Sequence, residues 1–193
     1  MASRVAEAPA RRFWNVPNSL TVVRLGLALV VFWCIGRRDD LAALAVFGLA
    51  SLTDALDGYF ARLLDQASPI GRQLDPLVDK VIVAGSLIYL LPIAGTGLEP
   101  WMVSAIVIRE LIVQALRSLI EGRGEPFGAR WAGKLKALFQ CLAIAAILFG
   151  LHFKPGWAWL WFRDTLTWSA VFLTIYSGLG YLVLAWKKLK GAV

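Results

Sequence analysis

Four aspartates lie close together in the chain, inside or beside two strongly apolar stretches: Asp54, Asp57, Asp75 and Asp79. A carboxylate at membrane depth carries a large free-energy cost unless it faces a polar cavity, a partner or a metal ion. Carboxylate oxygens are the ligands that Mg²⁺, Ca²⁺ and Mn²⁺ prefer in proteins. The four residues therefore predict a metal site near a membrane surface.

The spacing of the aspartates fits two helices. The first pair lies three residues apart and the second pair four residues apart, so the members of each pair share a helix face. Between the pairs, Pro69 and Gly71 predict a turn, and Pro76 suits the first turn of the second helix. We therefore expect two helix ends, joined by a short cytoplasmic loop, that hold one or two divalent cations.

Small and basic residues accompany the first aspartate pair. Gly58 and Ala61 follow Asp54 by four and seven residues, so they extend the same face and leave a groove beside the carboxylates. Close helix packing is the alternative explanation for small residues at this spacing. Arg62 and Arg72 flank the cluster, where guanidinium groups would hold phosphate or only balance charge.

The rest of the composition indicates an integral membrane protein. Apolar residues make up 59% of the 193 residues, more than in typical soluble domains. Six stretches predict transmembrane helices: Ser19–Gly36, Leu41–Leu63, Leu77–Ala94, Trp101–Leu119, Leu135–Leu151 and Trp161–Trp186. Because the connections are short, we expect one all-α membrane domain over residues 19–193, preceded by a short interfacial segment over residues 1–18.

The distribution of Lys and Arg predicts the orientation. With six spans, most basic residues fall on the side that holds both termini, which places the termini and the aspartate site in the cytoplasm. The net charge of +7 indicates attraction to anionic membrane lipids and phosphorylated substrates. We expect no nucleic-acid partner, because the basic residues are spread over the loops of a membrane protein.

A second polar group lies later in the chain. Arg109 and Glu110 interrupt the fourth stretch, Arg117 follows near the same face, and Lys134 and Lys136 open the fifth stretch. Topology alone could account for the two lysines. It explains the deeper Arg109 poorly. A structural ion pair with Glu110 stays open as an alternative, although adjacent helical residues do not face each other. We expect these cations to converge on a second anionic substrate near the metal site.

Thr21 and Arg24 in the first stretch, and Asn18 just before it, are polar residues about one turn apart that could support the bound substrates. Two simpler roles remain open. Asn18 would cap the helix that follows Pro17. Arg24 would extend its charged end to the cytoplasmic interface.

The aspartate region resembles the signature of the CDP-alcohol phosphotransferase family. That signature reads D-x-x-D-G-x-x-A-R, eight residues, then G-x-x-x-D-x-x-x-D. It is matched at every fixed position, namely Asp54, Asp57, Gly58, Ala61, Arg62, Gly71, Asp75 and Asp79. Members join a phosphatidyl or similar group from a CDP-linked donor to an acceptor hydroxyl and release CMP. The six-span pattern agrees, so the resemblance covers essentially the whole chain.

This resemblance implies roles for the matched residues. Two divalent cations, Mg²⁺ or Mn²⁺, would be bound by the aspartates: Asp54, Asp57 and Asp75 around one, and Asp54, Asp75 and Asp79 around the other. Asp79 would also be the catalytic base for the acceptor hydroxyl, which suits a site without histidine. The CDP-linked donor would be held by Gly58, Ala61 and Arg62, with Gly71 near them. A homodimer is implied as well.

Three further stretches are similar to bacterial inner-membrane members that transfer the phosphatidyl group of CDP-diacylglycerol to glycerol-3-phosphate: Asn15–Leu25, Ile108–Ile112 and Gly133–Gln140. In such members, Arg109, Lys134 and Lys136 would hold the phosphate of the acceptor. Ala137 departs from the pattern, since that branch often has Thr after the second lysine.

Other functions remain open at this point. Two other acceptors are possible within the family. Inositol-phosphate would also require cations that bind its phosphate, and phosphatidylglycerol is the acceptor of related cardiolipin synthases. An ion or metal transporter also places aspartates in helices. It would need acidic residues along a path through the membrane, whereas here they cluster at one depth.

Overall fold

The computed structural model describes residues 16–64, 71–123 and 131–190, with side chains for 22–53, 78, 80–123, 131–188 and 190. These residues form six α-helices: α1 Val16–Gly36, α2 Asp40–Leu64, α3 Gly71–Leu90, α4 Pro100–Glu121, α5 Trp131–Phe153 and α6 Trp157–Lys190. Each predicted stretch corresponds to one of these helices, so the all-α prediction is confirmed.

Several predicted helix ends were wrong. α3 begins at Gly71, so Pro76 lies inside the helix and not in its first turn. It ends at Leu90 and not at Ala94, because Pro92 and the residue before it disfavour helical continuation. α1 begins at Val16, which places Asn18 inside the helix and not at its N-cap. The first turns of α1 and α3 contain polar residues but are still helical through backbone hydrogen bonds. A prediction based on apolar stretches therefore places the helix starts too late.

Apolar surface is extensive on the described helices. Within the part of the chain that the structure describes, two segments are long and apolar enough to cross a membrane by length and composition alone, Trp131–Phe153 and Trp157–Lys188. Large apolar side chains are exposed on other helices too, including Leu29 on α1 and Leu111 on α4. Exposed apolar surface on this scale is typical of proteins that contact lipid or a partner. The fold is thus consistent with a membrane protein.

The main hydrophobic core joins buried residues of α1 to α5, with one residue from α6. Its largest fully buried side chains include Phe47 on α2, Leu90 on α3 and Ile147 on α5. α1 packs against α2 and α3, while α5 packs against both α2 and α6. α4 packs mainly against α6. This arrangement leaves α3, α4, α5 and α6 around a common space.

A buried arginine joins α6 to the loop between α3 and α4. Arg163 is 7% exposed and donates hydrogen bonds to the carbonyl oxygen of Gly95 and to Asp164 Oδ1, the latter at 2.8 Å from Nε. Gly95 has a φ of +86°, a conformation that favours glycine. The contact fixes the end of the bundle opposite to the first turns of α3 and α5.

Gly85 sets the distance between α1 and α3. A Cβ atom on this residue would lie 2.1 Å from Cζ of Phe32. The Phe32 ring is itself stacked on Tyr89, with ring centroids 5.2 Å apart and planes 10° apart. Any side chain at Gly85 must therefore displace a packed aromatic pair.

Gly85→Ala is expected to destabilise the protein by about 1–3 kcal/mol, because the added methyl group overfills this contact. The measurement is the thermal unfolding midpoint in detergent. Gly48→Ala is the matched control, since a Cβ at Gly48 meets nothing within 4 Å. A midpoint for Gly85→Ala equal to that of Gly48→Ala would show that Phe32 moves without cost.

Candidate active site

A cavity of about 290 Å³ lies between α3, α4, α5 and α6. Among the side chains that the structure describes, five cations and one carboxylate line it, together with small and apolar residues. The lining residues are Lys80, Val83, Arg109, Glu110, Val113, Arg117, Gly133, Lys134, Lys136, Ala137, Gln140 and Tyr181. An excess of positive charge in a largely apolar enclosure favours an anionic ligand of small size.

Helical spacing explains how α4 supplies its part of the lining. Arg109, Val113 and Arg117 follow one another at intervals of four residues, and such residues lie on one face of a helix. From α5, Lys134 and Lys136 lie in the first two turns. The structure thus brings together the four cations that the sequence placed near a second substrate.

Contacts with α6 hold Arg109. Its Nη2 donates a hydrogen bond to Ser177 Oγ at 2.9 Å, and its guanidinium carbon lies 5.4 Å from the centre of the Tyr181 ring. A Cβ atom on Gly178 would lie only 2.9 Å from Arg109 Cγ. The absence of a side chain at Gly178 therefore lets the arginine stem run along α6.

Glu110 is the carboxylate of the cavity, and it is 5% exposed. Its Oε1 accepts a hydrogen bond from Arg109 Nη1 at 3.2 Å and another from Lys136 Nζ. The ion pair between Arg109 and Glu110 that the sequence left open is present, because the long guanidinium arm folds back over its neighbour. One carboxylate oxygen thus contacts cations from both α4 and α5.

Sequence reasoning missed two further polar pairs at this site. Lys80 Nζ donates a hydrogen bond to Gln114 Oε1, which links α3 to α4. Gln140 Nε2 donates to Thr174 Oγ1 at 3.0 Å, which links α5 to α6. Polar residues inside apolar stretches were the available signal, but nothing in the sequence indicates which residues pair.

Arg24 does not line this cavity. It is 4% exposed within α1, so protein encloses its side chain and the alternative of extension to the interface is disfavoured. The remaining predicted residues lie outside the described side chains: Asn18, Thr21, Asp54, Asp57, Gly58, Ala61, Arg62, Gly71, Asp75 and Asp79.

The backbone still places the aspartates on two helices. α2 carries one pair near its C-terminal end and α3 carries the other near its start, with spacings of three and four residues. Four carboxylates form an all-oxygen donor set, which fits Mg²⁺ or Mn²⁺. Among the residues with described side chains, no other group of three or more His, Cys, Asp or Glu residues could hold a metal ion.

Comparison with known proteins decides the family. The family model for CDP-alcohol phosphatidyltransferases matches residues 14–176. The chain belongs to this family. A relative from Bacillus subtilis (strain 168) is 37% identical, and the alignment covers 92% of this chain and 98% of the relative. It is named CDP-diacylglycerol–glycerol-3-phosphate 3-phosphatidyltransferase.

Two more relatives in the CDP-alcohol phosphatidyltransferase family carry the same name. The one from Pseudomonas fluorescens is 37% identical, over 91% of this chain and 92% of its own length. The one from Escherichia coli (strain K12) is 30% identical, over 88% of this chain and 93% of its own length. The similarity therefore extends over nearly the whole of each protein.

Gly178→Ala tests whether the position of Arg109 matters for anion binding. Inorganic phosphate is expected to raise the thermal unfolding midpoint of the unaltered protein, because a ligand stabilises the folded state that binds it. The variant should need about tenfold more phosphate for the same rise, since its methyl group displaces Arg109, a charged hydrogen-bond donor. Gly48→Ala serves as the control. An unchanged phosphate dependence in Gly178→Ala would contradict the importance of the arginine position.

Proposed function

We propose that the protein transfers the phosphatidyl group of CDP-diacylglycerol to a hydroxyl group of glycerol-3-phosphate, giving phosphatidylglycerophosphate and CMP. The observation that carries the proposal is the cavity, whose described lining holds five cations and one carboxylate. Such a site suits an acceptor that bears a phosphate. Relatives that are similar over nearly their full length, and that are named for this reaction, support the same acceptor.

Arg109, Lys134 and Lys136 are proposed to bind the phosphate of the acceptor. A planar guanidinium can form two parallel hydrogen bonds to a phosphate, and the ammonium groups add charge from the opposite helix. Arg117 lines the same cavity and would add to the attraction. Asn18, Thr21 and Arg24 remain predicted supports for the donor or the acceptor.

The reaction itself is proposed to use the aspartates. Asp54, Asp57, Asp75 and Asp79 would hold two divalent cations, which when bound neutralise the pyrophosphate and the departing CMP. Asp79 would accept the proton of the acceptor hydroxyl. The hydroxyl oxygen then bonds to the phosphorus that carries diacylglycerol, and the bond from this phosphorus to the CMP oxygen breaks.

The order of residues along the chain supports separate sites for the donor and the acceptor. Lys80 directly follows Asp79 and lines the cavity, so the proposed base and the proposed acceptor site are neighbours on α3. The donor would lie on the α2 side, held by Gly58, Ala61 and Arg62 with Gly71 near them. The attacking hydroxyl would thus approach from the cavity and CMP would leave toward α2.

The proposed setting is the bacterial inner membrane, crossed six times, with both termini and the active site in the cytoplasm and with two copies forming a homodimer. Support comes from the apolar surface of the helices, the uneven distribution of Lys and Arg, and the bacterial source of the relatives. Attraction of the basic side to anionic lipids would hold the donor close.

A panel of acceptors tests the function. The purified protein in detergent receives CDP-diacylglycerol, Mg²⁺ or Mn²⁺, and one of glycerol-3-phosphate, inositol-phosphate, inositol, serine or phosphatidylglycerol. We expect CMP release with glycerol-3-phosphate alone. Release with inositol-phosphate or phosphatidylglycerol alone would overturn the acceptor but keep the chemistry. No release with any acceptor would overturn the proposed transfer from CDP-diacylglycerol and would point to a different CDP-linked donor or to a scaffold that has lost its activity.

Asp57→Asn tests the metal site. Loss of one carboxylate should lower CMP release by about 100-fold or more, because even indirect partners of metal ligands often cost 10–100-fold. Asp39→Asn is the matched control. Asp39 Oδ1 accepts a hydrogen bond from the backbone of Ala42 at 3.2 Å, and Asn caps helices equally well. Full activity in Asp57→Asn would remove this residue from the metal ligands.

A further inference from the structure

The carboxylate of Glu110 in the cavity is unfavourable for phosphate binding. Glu110 lines the cavity together with five cations, yet a carboxylate repels a phosphate and lowers the net positive charge. If the cavity only attracted anions, an apolar or amide side chain would serve better at this position. A buried charge is also costly unless it is well paired. Some other contribution must offset both disadvantages.

The contacts of Glu110 indicate what that contribution is. Its Oε1 accepts hydrogen bonds from both Arg109 and Lys136, which come from α4 and α5. The three side chains are between 7% and 10% exposed, so water screens these contacts little. The carboxylate therefore fixes the separation of two long cationic side chains.

Fixing these two side chains favours ligand binding. Lysine and arginine have many rotamers, and binding is weakened when such side chains must be ordered by the ligand. Arg109 is held on its other side by Ser177 Oγ at 2.9 Å. Arg109 and Lys136 both contact the Glu110 carboxylate, so their positive charges partly neutralise its repulsion of a phosphate.

We propose that Glu110 is a positioning residue for the acceptor, which holds Arg109 and Lys136 ready to receive its phosphate. The proposal rests on the proposed function. Glu110 does not itself contact the substrate. It should therefore determine how strongly the protein prefers glycerol-3-phosphate to free glycerol, and it should leave the binding of CDP-diacylglycerol unchanged.

Glu110→Gln is the first test, because it removes the charge and keeps the shape. The KM for glycerol-3-phosphate should rise about 10- to 100-fold, the effect of losing charge-assisted hydrogen bonds, while the KM for CDP-diacylglycerol stays within twofold. Glu121→Gln, at the exposed end of α4, is the matched control. A fall in the KM for glycerol-3-phosphate would mean that repulsion dominates. A fall in kcat together with similar rises in the KM values of both substrates would mean a general structural role. Either result would overturn the proposal.

A second set of variants covers the case in which Glu110→Gln does not fold. Glu110→Asp keeps the charge but shortens the side chain, so it should also raise the KM for glycerol-3-phosphate if position matters. The same Glu110→Gln change should raise the KM for glycerol-3-phosphate less in a Lys136→Met background than in the unaltered protein. The reason is that the effects of residues that act together are not additive. Full additivity, or a normal KM in Glu110→Asp, would contradict the proposal.

The unaltered protein separates this inference from the proposed function. If it releases no CMP with glycerol-3-phosphate, the proposed function fails, and the positioning role fails with it. If it is active and the Glu110 variants keep its KM values, only the positioning role is overturned.

Discussion

A charged side chain inside an apolar helical bundle loses its hydration and must find a partner of opposite charge or a set of hydrogen bonds. This requirement determines how the second half of the chain packs. Glu110 on α4 meets Lys136 on α5, and Arg109 reaches Ser177 on α6, so three helices are joined by charged groups. Arg163 meets the same requirement at the opposite end through Asp164 and a loop carbonyl.

The same requirement also creates the chemistry of the cavity. Among the lining side chains that the structure describes, five are cationic and Glu110 alone is anionic, so most of the positive charge contributed by α3, α4 and α5 is not balanced within this described lining. Unbalanced positive charge next to an oxygen-rich metal site would bring two kinds of anion together: a nucleotide-linked lipid at the metals and a phosphorylated acceptor at the cations. The proposed reaction needs this pairing, because both reactants are negatively charged and repel each other in water.

The number of helices could be predicted from the sequence because each contains a long apolar stretch. The start of α3 at Gly71 could not, because its first turn is polar. The convergence of Arg109 and Arg117 followed from spacing along one helix. The contacts of Arg109 with Ser177 and of Lys136 with Glu110 join residues 68 and 26 positions apart. Such pairs depend on which helices become neighbours, and periodicity within one helix carries no information about that.

The length of α6 has a consequence for the whole enzyme. A helix of 34 residues is about 51 Å long, whereas the hydrocarbon core of a bilayer is about 30 Å thick. In the proposed setting α6 would extend beyond the core or tilt, and the degree of tilt would follow bilayer thickness. On this helix, Ser177 accepts a hydrogen bond from Arg109, and Gly178 leaves space for the arginine stem. The thickness of the surrounding membrane would therefore influence the proposed acceptor site.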